Sequence, residues 1–226
     1  MFLSKFSNHK KILLSKKVIL IILKCIVLYI VDIIIFVLKN RLLVRELENL
    51  GTALRVNRQR VADLVINDPS LFPYLLEIVF EVENKTSIKA AWVLEFVCIK
   101  NLDWLVPHLD YFTQNIGRVK FDSAARPVSK LCNLLAIAYN KKTPNSIKNE
   151  LTKTHIELII EAGFDWMISD FKVATKAYTM NSLYIFGKNS DWVHKELKLI
   201  IEQNMMQESA AYKSRGKITL ALINKK

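Results

Sequence analysis

The stretch DPSLFPYLLEIVF, residues 68–80, decides the fold class. Leu71, Phe72, Leu75, Leu76, Val79 and Phe80 recur at i, i+4 and i+8, the face of a 3.6-residue helix and not the alternation of a strand. Asp68 is suited to cap that helix, with Pro69 at its first position, where a missing N–H costs nothing. Outward from this stretch the same period predicts helices over about 54–67 on one side, and over 87–100, 103–115, 122–140, 150–168, 171–187, 191–205 and 208–224 on the other. Gly117 and Gly187 read as C-terminal stops, and Asp122, Asp170 and Ser190 as N-caps. Only five glycines and five prolines in 226 residues favour helices over a turn-rich β architecture.

The later helices share a register. A basic residue followed by a small or helix-starting one occurs as Lys89-Ala90, Arg126-Pro127, Lys176-Ala177 and Arg215-Gly216, at spacings of 37, 50 and 39 residues. The long interval contains KKTPNSIKNE, residues 141–150, a polar stretch that predicts a loop insertion. Without it the period is near forty, the length of a HEAT-type helical hairpin. Such a hairpin cannot bury its apolar face alone, so neighbours must stack. The expectation is an all-α right-handed solenoid of antiparallel helix pairs.

Four stretches carry a resemblance: KAAWVLEFVCIKNLDWLVPHLDYF (89–112), FDSAARPVSKLCNLLAIAY (121–139), DWMISDFKVATKAYTMNSLYIFGK (165–188) and DWVHKELKLII (191–201). They resemble a family of small bacterial HEAT-like proteins, over roughly residues 45–226 and not over the first forty. Members are often labelled adenylosuccinate lyase. That label implies the Gly-Ser-Ser-x-Met-Pro-x-Lys-x-Asn-Pro loop whose serine is the catalytic base. The chain contains no Ser-Ser and no Met-Pro dipeptide, so lyase activity is not expected from it.

The N-terminus is of another kind. Residues 1–60 hold 12 Lys/Arg and 3 Asp/Glu, a net +9, whereas residues 61–226 hold 21 and 18, only +3 of the total +12. The body is therefore close to charge-balanced, which argues against a dedicated nucleic-acid surface. Val18 to Leu38 is a run of 21 residues, seventeen of them Ile, Leu, Val or Phe, long enough to span a bilayer. Lys24 and Asp32 interrupt it about 12 Å apart along a helix, too far to pair. Lys5, Lys10, Lys11, Lys16 and Lys17 precede the run, and Lys39, Arg41, Arg45, Arg55 and Arg58 follow it, so the positive-inside rule assigns no orientation. A cleaved signal peptide fits poorly, since the apolar region is long and no A-x-A-like site follows. Residues 1–40 also lack Ala, Gly, Glu, Pro, Thr, Gln, Arg and Trp, a bias like the translation of A/T-rich DNA upstream of a start. Both a membrane anchor and a mis-assigned start fit. The expected division is a hydrophobic basic segment over 1–42 and a repeat domain over 43–226, cytoplasmic or held at a membrane by that one helix.

Chemistry-bearing motifs are sparse. Cys25, Cys98 and Cys132 lie in apolar stretches without CxxC and read as reduced thiols. His9, His108, His155 and His194 show no HExxH or HxH spacing and read as solvated or helix-end side chains, not metal ligands. No GxGxxG, Walker A or GxSxG occurs, and no cofactor, metal or catalytic residue is expected. Trp92, Trp104, Trp166 and Trp192 suit core gaps better than a base-stacking platform, although Glu95 after Trp92 and Asp110 after Trp104 keep a HEAT-like DNA glycosylase as an enzymatic alternative, beside the adenylosuccinate lyase of the family label. The predicted function is a non-catalytic scaffold that binds a protein or peptide on its concave face. Lys89, Trp92, Arg126, Lys176 and Arg215 are the expected binding residues, a basic stripe with one aromatic. Glu83 and Asp170, six residues before Lys89 and Lys176, predict a salt-bridge ladder at those two; Arg126 and Arg215 lack such an acid and are expected to be free.

Overall fold

The computed structural model describes the backbone of residues 2–225 and the side chains of residues 21–225, so the side chains of His9, Lys5, Lys10, Lys11, Lys16, Lys17 and Val18 to Leu20 lie outside it. Its eleven described α-helices are α1 (Phe2–Glu48), α2 (Arg55–Asn67), α3 (Phe72–Val79), α4 (Thr86–Lys100), α5 (Leu109–Asn115), α6 (Asp122–Tyr139), α7 (Ser146–Glu150), α8 (Lys153–Ile168), α9 (Val173–Phe186), α10 (Asp191–Asn204) and α11 (Ala210–Ile223). No strand occurs among the described residues. The chain divides into two compact units, Met1–Leu42 and Leu43–Lys226.

The first unit is helical. Every residue from Ile21 to Leu38 is exposed, and the described stretch from Ile21 is long and apolar enough to cross a membrane.

The second unit is an α solenoid. It begins with the end of α1, where Leu43, Leu47 and Leu50 are fully or almost fully buried in its core. Gly51, at φ +66, breaks that helix, the one described position in the left-handed region that favours glycine. Helices α2, α4, α6, α9 and α11 then pack each on the next, and α5, α8 and α10 form a second row, of which α8 and α10 lie against the first. The hairpins α3/α4, α8/α9 and α10/α11 join the rows. The shared core explains why: the 3.6-period stripes all face one continuous apolar interior, from Leu43 through Phe72, Val93, Leu131 and Met180 to Ile201.

Several local expectations are corrected. Asp68 does accept a hydrogen bond from the Ser70 amide, but Pro69–Leu71 is a 3₁₀ turn before α3 begins. Asp122 does not cap its own helix; it accepts from the Lys172 amide at 2.7 Å, at the start of α9. Asp170 is exposed and Lys172 stands at the N-cap of α9, while Ser190 holds the cap position of α10 without a side-chain bond. Gly187 ends α9 at an ordinary right-handed φ of −71. Its small size is needed for another reason, since a Cβ there would lie 2.5 Å from the His194 ring. Gly117 likewise lies in a 3₁₀ turn with no positive φ. The insertion at 141–150 is not all loop: α7 forms within it, capped by Asn145 and anchored by the buried Ile147.

Candidate functional site

Lys89, Arg126, Lys176 and Arg215 fall in the first two turns of α4, α6, α9 and α11, the helices that stack in one row. Packing has given most of them work inside the scaffold. Lys89 Nζ donates to the Glu48 carbonyl oxygen at 2.9 Å, at the end of α1, where a helix presents unsatisfied carbonyls and negative potential. Trp92 is half-buried and its Nε1 donates to the Ser123 carbonyl at 3.0 Å, tying α4 to the start of α6. Lys176 is buried, and its Nζ donates to Glu208 Oε1 at 2.7 Å, with the Tyr212 ring 5.9 Å away.

Arg126 departs from expectation. It is not free: Nη2 donates to Glu95 Oε2 at 2.7 Å, while Lys130 Nζ donates to the other oxygen, Oε1, also at 2.7 Å. The acid lies on α4, about one repeat earlier in the chain, and not six residues away. The Glu95 side chain is 4% exposed, against 31% for Arg126 and 23% for Lys130. The carboxylate therefore lies beneath two cations, and the surface above it keeps a net positive charge. Among the described residues the Arg215 guanidinium has no ion-pair partner, and Arg215 is half-exposed.

The expected ladder exists with other rungs. Glu83 pairs with Lys120 and not Lys89, and Lys176 takes Glu208 in place of Asp170. Lys100 reaches Asp63 at 3.3 Å, and Asn181 donates to Asn133 Oδ1 at 2.6 Å. Each bond crosses to a neighbouring repeat, so partners lie 31 to 48 residues apart. Aromatics thread the same row. Arg58 lies 4.9 Å from the Phe96 centroid and Lys130 6.0 Å from that of Tyr178. Lys130, Tyr178 and Glu208 were not singled out in the sequence, and Glu95 only as an acid near Trp92. The signal available is a separation of 31 to 37 residues between acid and base, and not six.

The described histidines and the two buried cysteines pack within the scaffold. His155 and His194 are buried, not solvated. The Thr152 amide donates to His155 Nδ1, which leaves Nε2 to donate to Asp110 at 2.7 Å. His194 Nε2 donates to the Tyr184 carbonyl at 2.8 Å, with its ring stacked on Tyr184. Burial against Phe72 holds the His108 imidazole below its ordinary range. Cys98 and Cys132 are fully buried, and burial pushes both thiols well up. Among the described residues no three His, Cys, Asp or Glu side chains gather as a metal would require. Trp166 is buried, Trp104 packs edge-on against Phe72, and Trp192 departs from the core-filling expectation at 58% exposed.

No curated protein and no solved structure matches the chain. The model of the HEAT repeat domain matches residues 46–222, which is most of the chain and nearly all of the second unit. With the stacked rows and the bonds that cross from each repeat to the next, this places the chain in the HEAT repeat family.

Proposed function

We propose that the protein is a non-catalytic scaffold that binds an acidic peptide segment on the face formed by α4, α6, α9 and α11, the concave side expected of second helices in such a repeat. The observation that supports this is the two-to-one arrangement at Glu95, with Arg126 and Lys130 above a single buried carboxylate. Half-exposed Arg215 adds a positive charge further along the row, and Trp92, three residues before Glu95 on α4, supplies an aromatic. Arginine with an aromatic neighbour is a common composition of interface hot spots. Lys89 and Lys176 support the scaffold beneath. The test is capture of partners on the immobilised full chain, followed by mass spectrometry, with Arg215→Ala in parallel. Captured acidic partners should be lost in the variant while the melting temperature holds. Equal capture by both proteins would remove the face from consideration.

The exposed apolar stretch Ile21–Leu38 supports a second element of this proposal, that residues 1–42 anchor the domain of residues 43–226 at a membrane. Carbonate extraction of native membranes should leave the protein in the pellet; release into the supernatant would rule the anchor out.

A further inference from the structure

On the other row, a cleft of about 770 Å³ opens between α8 and α10, closed at one end by the α9–α10 link. That volume is in the range of sites that enclose a ligand or a few side chains. Its floor is apolar, with Ile160, Phe164, Ile185 and Phe186. Trp192 forms one wall, its ring 5.6 Å from that of Phe164 and tilted by 32°. Most of that indole faces solvent, and it continues the apolar surface of the floor out to the rim.

One rim, along α8, is acidic. Glu157, Glu161 and Asp165 recur at i, i+4 and i+8, so α8 turns all three carboxylates to the cleft. Lys153, one turn earlier, approaches Glu157 at 3.6 Å from a 90% exposed position, and such a pair contributes little. Among the described residues neither Glu161 nor Asp165 has an ion-pair partner. The cleft thus combines unpaired carboxylates, an exposed indole and an apolar floor, in a chain whose net charge is +12.

We infer that this cleft is a second binding surface, distinct from the positive face on the other row, and that its occupant is a basic peptide segment. An arginine or lysine of that segment lays its aliphatic stem and charged head against Trp192, as a cation does over an indole face. Its charge meets Glu161 and Asp165, and the residues beside it fill the floor. An anionic lipid surface is disfavoured by the same carboxylates. The scaffold then carries two surfaces of opposite sign, and they select segments of opposite charge.

The test uses the full chain in a non-ionic detergent, with labelled hexa-arginine peptide as the probe and fluorescence anisotropy as the readout. Hexa-arginine should bind saturably and should be displaced by the unlabelled peptide. Trp192→Ala, and separately the triple variant Glu157→Gln, Glu161→Gln, Asp165→Asn, should each weaken binding about tenfold or more, as loss of an aromatic or charged anchor does. All four side chains lie at the surface, so melting temperatures should be unchanged. Arg215→Ala should leave hexa-arginine binding intact, which separates this cleft from the positive face. Absence of saturable binding, binding that neither variant weakens, or a preference for detergent micelles carrying phosphatidylserine through Trp192 would each overturn the inference.

Discussion

Arg126 and Arg215 stand at matching places on α6 and α11, yet alanine should affect them in opposite ways. Removing Arg126 leaves the Glu95 carboxylate, 4% exposed, with one cation in place of two. The expected loss is about 1–3 kcal/mol, the scale of an under-compensated buried charge. Arg215→Ala should stay within about 0.5 kcal/mol, as surface substitutions without a buried partner do. Urea titration of both variants checks the contrast, and equal losses would contradict it. Gly187→Ala should cost about 1–3 kcal/mol by overpacking, because its methyl would be forced against the His194 ring. His108 makes stability depend on pH. Its folded pKa is depressed by burial, so its contribution is complete above the unfolded value of about 6.5 and is lost as pH falls through the lower folded value. His108→Gln should therefore show a smaller drop in melting temperature between neutral and mildly acid pH than the unaltered protein.

Among the helices, α6 shows what could be foreseen: a period of 3.6 predicted 122–140, and the helix runs Asp122–Tyr139. Local spacing is enough for that, because an apolar stripe is a property of one segment. The caps were less legible. Asp122 serves the start of α9 and not its own helix, since a short acid at a helix start bonds to whichever amide packing brings nearest. The ion pairs were legible in kind but not in partner. Glu95 and Arg126 meet only because α4 lies against α6, a fact of packing that no six-residue spacing encodes. The proposed binding surfaces were legible least, since Trp192 differs from Trp166 only in which way its helix face points. The segment 141–150 gives a test at this scale. A plain loop would tolerate change, but Ile147 is 1% exposed and its helix packs on α6. Ile147→Ala should lower stability by about 2–4 kcal/mol in a denaturant titration, the cost of a buried Ile-to-Ala cavity. A neutral result would return the segment to loop.

At the scale of the molecule, stability in a repeat array is close to a sum of repeat and neighbour terms. Removing residues 1–42 spares Leu43, Leu47 and Leu50, which belong to the solenoid core. The shortened chain should therefore remain soluble, unfold cooperatively and give a helical circular dichroism spectrum without strand signal. Aggregation would show that the first unit is needed by the second. The placement of the tryptophans has an optical consequence. Trp166 is buried and Trp92 and Trp104 are half-buried against the core, while Trp192 is 58% exposed. The long-wavelength edge of the emission and the fraction open to acrylamide should accordingly come mostly from one indole, so the folded protein carries its own reporter at the wall of the α8–α10 cleft.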